Sequence, residues 1–261
     1  MSMAAGAPAD SSGLVLRVRT DIGTSIADAC ALAVGPSQWT DGSLLVGALA
    51  VGAVGGAFAL DNDVRNFVLA HTSAEGNRYL LPWQDYGNGL YAGCGAGALY
   101  CSGLALSNDW LAETGRSALT ALALTGIATT VLKVAVGRAR PYTNEGPHRF
   151  SFFQFADSLW SFPSGHAATA FTLSAVLAAR IDNGYVAIPL YGIAAMTAVA
   201  RVYGNQHWTS DVVTGALIGT AIGHCIGSRH PVTKRAWRRR VEVVPVSAGT
   251  QAVGVGICVN Y

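Results

Sequence analysis

Charge is scarce in this chain. Only 12% of its 261 residues are Asp, Glu, Lys or Arg, about half the usual share. Hydrophobic residues make up 51%, and the mean hydropathy of +0.35 is high for a soluble enzyme yet modest for a membrane protein. Paired cysteines are also lacking. The five (Cys30, Cys94, Cys101, Cys225, Cys258) form no CxxC, and an odd count argues against a disulfide framework. Cys94 and Cys101 share a helix face but lie too far apart to bond, so ordinary buried thiols are expected. No cluster has metal-ligand spacing, and there is no low-complexity linker or internal repeat. The first 40 residues lack a basic start followed by an apolar run, so no cleavable signal peptide is expected. A nucleic-acid partner is not expected either.

Glycine (31 residues) and alanine fill the apolar runs, which suggests closely packed helices. Six apolar segments stand out: 43–60, 87–106, 117–136, 167–179, 185–202 and 212–227. They predict an all-α fold, a bundle of about six apolar helices with the active site at one end. Several segments fall short of the roughly 20 residues that cross a bilayer, so a soluble bundle with a greasy core stands as the alternative. Three regions follow: 1–42, with an amphipathic helix at "IGTSIADACALAV"; 43–228, the helical domain; and 229–261, a basic tail. From Ser228 onward there are six Lys/Arg against one acid, Glu242. The alternating "AVGVGICVNY" with "VEVVPV" predicts a C-terminal β-hairpin, either a cap on the bundle or a pairing edge. If the helices span, the tail is cytoplasmic and the opposite face, which holds every candidate catalytic group, points outward.

Three clusters carry chemistry. In "KVAVGRARP", Lys133 and Arg140 are seven residues apart, hence on one helical face, and Pro141 ends the helix. In "SFPSGHAATAF", Ser164 is placed as an N-cap, Gly165 lets a backbone N–H approach a ligand, and His166 lies in the first turn, where the helix dipole favours an anion. In "RVYGNQHWTSD", Arg201 precedes His207 by six, and Asp211 follows it by four, near enough on a helix to hold one imidazole nitrogen. Each cluster alone has a structural explanation. Together they meet the demand of phosphoryl transfer: cations around the equatorial oxygens, an in-line nucleophile, and an acid for the leaving oxygen.

K-x6-RP, PSGH and R-x5-H-x3-D, in this order between apolar helices, resemble the signature of the type 2 phosphatidic acid phosphatase superfamily, over about residues 44–227. That group holds lipid phosphate phosphatases, bacterial nonspecific acid phosphatases and vanadium haloperoxidases. The resemblance implies a metal-independent, cofactor-free phosphatase acting through a phosphohistidine. Lys133, Arg140, Ser164, Gly165 and Arg201 would bind phosphate, His166 would be the general acid, His207 the nucleophile and Asp211 its orienting partner. The third motif usually begins Ser-Arg; here it is Ala200-Arg201, which bears on support for Arg201 and not on the chemistry.

The substrate expected is a lipid phosphate or diphosphate, reached from an inner membrane with the site facing the periplasm or outside. The alternatives are a soluble periplasmic acid phosphatase acting on small phosphate esters and, further off, a vanadate-dependent haloperoxidase. Beside the site, Arg138 is expected to be solvated or to reach the phosphate. Phe150, Phe152, Phe153 and Phe155 form either a greasy lip for an acyl or prenyl chain or the loop's own small core. Trp160 and Trp208 are either packing residues or interfacial anchors.

Overall fold

The computed structural model describes residues 11–34, 41–229, 242–247 and 253–258. Among the described residues its first unit, Met1–His230, contains eight α-helices. They are α1 (Ser11–Val34), α2 (Asp41–His71), α3 (Ala74–Leu80), α4 (Gly89–Ala105), α5 (Asp109–Val136), α6 (Gly165–Ile181), α7 (Gly184–Tyr203) and α8 (Thr209–Arg229). The six apolar segments map onto α2 and α4–α8. The expected count of six is therefore corrected to eight, because α1 and the short α3 are helical as well. The second unit, Pro231–Tyr261, holds two strands, Glu242–Ser247 and Val253–Cys258, paired antiparallel. It forms no part of the all-α class, which the first unit defines. The basic stretch 230–241 lies outside the described residues.

Short polar residues set the helix starts. Asn88, Asn108, Ser164 and Asn183 each accept a first-turn amide of α4, α5, α6 and α7, satisfying donors that have no partner within the helix. Helix α5 ends at Gly137 and not, as expected, at Pro141, so Arg140 lies in an extended connection and shares no helical face with Lys133. The φ of 57° at Gly137 is left-handed, and a Cβ there would collide with the Ser151 carbonyl oxygen. Glycine is required at that position twice over.

The tightest pairing joins α6 and α8. A Cβ on Gly215, Gly219 or Gly223 would strike the carbonyl oxygens of Ser164, Ala168 or Thr172. Four-residue spacing thus puts a smooth stripe of α8 against the α6 backbone. Alanines continue the theme: Ala96, Ala118, Ala121 and Val176 pack with Ile222 and Ile226 as the core.

Polarity runs inside-out. Buried positions include Arg116, Thr125, Thr172, Thr197, Arg201 and Asp211, whereas Leu45, Val51, Ile127, Val131, Ile188 and Val199 lie exposed. Three helical stretches, Gly42–His71, Asp109–Val136 and Gly184–Tyr203, are long and apolar enough to cross a membrane. Apolar outer faces over a hydrogen-bonded interior are what lipid demands, and the chain has the build of a membrane protein. The expectation of buried thiols is corrected on the same ground, since Cys30, Cys94 and Cys101 are exposed. They stand on outward faces that need only be apolar.

Chain direction then fixes the site. The C-terminal ends of α2, α5 and α7 and the N-terminal ends of α4, α6 and α8 share one end of the bundle. At the other end, Arg116 of α5 reaches Asp28 of α1 at 3.0 Å and Glu113 at 2.5 Å.

Gly219→Val should lower the thermal midpoint in detergent, since overpacking a tight contact costs about 1–3 kcal/mol. Gly126→Ala, where a Cβ meets nothing within 4 Å, should leave it unchanged or raise it. Differential scanning fluorimetry of the two variants distinguishes a packing stripe from a general preference for glycine.

Candidate active site

The turn after α5 is stitched to the segment before α6. Ala139 N–H donates to Arg149 O, Arg140 N–H to Ser158 O, and Ser161 N–H to Arg138 O. These bonds hold the first two motifs side by side. Lys133 Nζ donates to Trp160 O at 2.6 Å, and a Cβ on Gly165 would sit 3.8 Å from Lys133 Cε. The lysine therefore lies against the start of α6. Ser164 caps α6 through its hydroxyl, and its N–H donates to Asp211 O, which joins the second motif to the third.

Two arginines are held by neutral or acidic partners. Asp157 takes Arg140 through its backbone oxygen (2.9 Å) and its carboxylate (2.8 Å). Gln84, in the turn before α4, accepts from Arg201 Nη1 at 2.6 Å. Arg201 Nε is buried and has no hydrogen-bond partner.

His207 lies in the turn before α8 and is buried. Its Nδ1 is 2.8 Å from the Ser161 carbonyl oxygen and 3.7 Å from Asp211 Oδ2. A carbonyl can only accept, so Nδ1 is the donor and Nε2 carries the lone pair. The direct clasp expected of Asp211 is corrected here. At 3.7 Å the carboxylate is beyond hydrogen-bond length and acts on the ring by its charge. It also accepts from the Ser161 hydroxyl and the Trp208 N–H, fixing the residue whose carbonyl holds Nδ1. The reason is register: α8 begins at Thr209, so His207 and Asp211 are not a helical i, i+4 pair.

Burial pushes the His207 pKa down to about 3, against the upward pull of Asp211, with Lys133 and Arg201 adding to the depression. Burial likewise takes His166 down to about 4, followed in effect by the positive charges of Arg201, Lys133 and Arg140. Both imidazoles are therefore neutral at pH 7 in the free protein. Contacts bring the groups together: Arg140 Nη1 reaches the Gln206 oxygen beside His207 at 3.5 Å, Lys133 reaches the Trp160 oxygen, and the next carbonyl, of Ser161, holds His207.

Arg138 is neither solvated nor turned toward these groups; it is fully buried. Its guanidinium meets Asp61 and Asp211 at 2.7 Å each, Ser210 Oγ at 2.6 Å, and Pro147 O, under the Phe58 ring. Asp61, on α2, also accepts from the Ser210 N–H and hydroxyl. Trp208 is buried, with its indole N–H on Ala139 O, which settles it as a packing residue.

Asp61, Gln84 and Asp157 escaped the sequence reading. Only Asp61 gave a signal: an acid ending the apolar run of α2, a position where charge is expensive unless it is used.

Residues 114–232 match the family model described as the PAP2 superfamily. The chain is 36% identical over 67 residues to the lipid A 1-phosphatase of Porphyromonas gingivalis, covering 24% of this chain and 15% of that protein. It is 32% identical over 120 residues to the lipid A 1-phosphatase of Rhizobium etli, covering 44% and 48%. The chain thus spans less than half the length of these relatives. The crystal structure of Aquifex aeolicus LpxE superposes with a TM-score of 0.50 at 21% identity, covering 64% of this chain and 94% of that one; this likeness concerns the fold. All eight sequence-predicted site residues fall within 114–232, whereas Asp61 and Gln84 lie outside it.

Removing one member of a buried ion pair costs about 3–5 kcal/mol, while replacing the whole group with apolar residues costs far less. Asp61→Ala should therefore lower the thermal midpoint steeply, more than any exposed-face substitution on α2. A second outcome concerns pH. The folded pKa values of His166 and His207 lie below their unfolded values near 6.5, so the unfolded chain binds more protons between the two. Their contribution to stability is complete above about pH 6.5 and is lost as pH falls toward 4 and 3, at about 1.4 kcal/mol per pH unit per group. His166→Asn/His207→Asn should flatten the acid side of a midpoint-against-pH curve relative to the parent.

Proposed function

We propose, from the match of residues 114–232 to the PAP2 superfamily model, that the chain is a metal-independent phosphatase of a lipid phosphate monoester or diphosphate. The carrying observation is the convergence of Lys133, Arg140 and Arg201, with an unpartnered buried Arg201 Nε, beside a buried His207 and a half-buried His166, both neutral. Cations without enough carboxylates to neutralise them suit a dianion, and fixed donors stabilise a phosphoryl transition state at no reorganisation cost.

In this reading the phosphate is held by the three cations, the Ser164 hydroxyl and the Gly165 N–H. His207 Nε2 attacks phosphorus in line, and the bond to the leaving oxygen breaks. His166 gives that oxygen its proton. Water then attacks the phosphohistidine, His166 takes the water's proton, and inorganic phosphate leaves. His166 must gain a proton before the first step. That proton comes from solvent, and the substrate's two negative charges favour its uptake by offsetting the positive charges of Arg201, Lys133 and Arg140, which add to the effect of burial.

The inside-out polarity and the stretches long and apolar enough to span favour a lipid substrate, and relatives named lipid A 1-phosphatase support lipid A as one candidate. The catalytic domain of this proposal is 43–228, with 1–42 before it and the basic 229–261 behind. The surplus of Lys/Arg after Ser228 favours a cytoplasmic tail and a site facing the periplasm or outside.

Purified protein in EDTA should release phosphate from lipid phosphates, and His207→Ala should cut the rate at least about a hundredfold. Phosphate release that survives the mutation removes His207 as nucleophile. Activity that depends on added divalent metal removes the metal-independent scheme.

A further inference from the structure

The segment joining the first two motifs carries three bare aromatics. Phe152, Phe153 and Phe155 are 65%, 74% and 77% exposed, so they are not the loop's own core. Phe153 also has a φ of 57°, a conformation that bulky residues avoid. Backbone strain here turns a phenyl ring away from the protein, which has no use in water.

The loop is held at its root. Ser151 N–H donates to Gly137 O, and the Trp160 indole N–H donates to Gln154 O at 2.8 Å. Asp157, just after the aromatics, grips Arg140. The segment is thus apolar at its tip and joined to a phosphate-site cation at its base. It follows α5 directly, and the exposed Ile127 and Val131 of α5 lead toward it along one of the membrane-length helices. The loop is tied by Ser151 to Gly137 at the end of this helix, and the indole of Trp160 beside it has the amphipathic character found at bilayer interfaces.

We propose that Phe152, Phe153 and Phe155 form a wedge that enters the lipid bilayer at the mouth of the site and brings membrane-embedded phosphate esters to Arg140. The proposal rests on the phosphatase reading for its substrate, but the insertion itself does not. The occupant is the acyl region of the leaflet bearing the site. By this account the loop sets the preference for a phosphate on a long-chain lipid over the same phosphate on a soluble alcohol.

The test uses the full chain in lipid nanodiscs with Phe152→Ser, Phe153→Asn and Phe155→Ser combined, asparagine being chosen because it tolerates a positive φ. Turnover of a long-chain lipid phosphomonoester should fall by about tenfold or more, and turnover of a water-soluble short-chain monoester should stay within about twofold. Equal loss on both substrates would make the loop a structural support, and no loss on either would remove its role; each overturns the wedge. A second measurement does not depend on turnover. A nitroxide on Phe152→Cys in a cysteine-free chain should be relaxed more by dissolved oxygen than by a neutral aqueous nickel chelate. The reverse order places the loop in water, or under a protein partner if both are excluded, and overturns insertion. Absence of all phosphatase activity together with oxygen-dominated relaxation would sink the phosphatase reading and leave the wedge standing.

Discussion

A fully buried guanidinium holds this site together. Arg138 binds Asp61 from α2, Asp211 and Ser210 from α8, and Pro147 from the connecting loop. A buried charge is tolerated only when it is paired and its remaining donors are satisfied, and here each carboxylate also accepts from neighbouring hydroxyls and amides. Asp211 cannot shift without leaving Arg138 short of a partner, and Ser161 cannot shift without leaving Asp211 short. Since Ser161 O holds Nδ1 of His207, the imidazole inherits its position and tautomer from a charge cluster behind it.

The cations facing the site follow the opposite rule. Arg140 is countered by an exposed carboxylate, Asp157, and among the described residues Arg201 donates to a neutral amide, Gln84, with no carboxylate in ion-pair contact. One cluster has its charge balanced from within; the other is left with positive charge to spare. This division separates two arginines only two residues apart, Arg138 and Arg140. Regular alternation along a strand would put both on one side; their different partners show that the connection from Gly137 to Pro141 is not a regular strand.

Close packing supplies the rest. The glycine stripe of α8 lets the α6 backbone approach until Ser164 N–H bonds to Asp211 O. Helix spacing and site geometry are therefore one quantity. A larger residue in that stripe would separate the helices and also pull the start of α6 away from Asp211 and His207. Lipid adds no hydrophobic drive between helices, so this contact and the buried polar bonds carry the association.

The sequence alone determined much. Apolar runs pointed to helices, which satisfy their backbone hydrogen bonds within one segment, and Ser164 marked the start of α6; the end of α5 at Gly137, before Pro141, was decided by the close approach of Ser151. The spacing of Lys133, Arg140, Ser164, His166, Arg201 and His207 was enough to gather the site, because each motif sits at a helix end and consecutive apolar helices must reverse direction. Tertiary structure alone decided which arginine is interior, that Ser161 O rather than Asp211 holds His207, and that Asp61 and Gln84 belong to the site. Those facts depend on side chains 46 to 149 residues apart in the chain meeting in space. No local period encodes such meetings; they follow from how closely the helices pack.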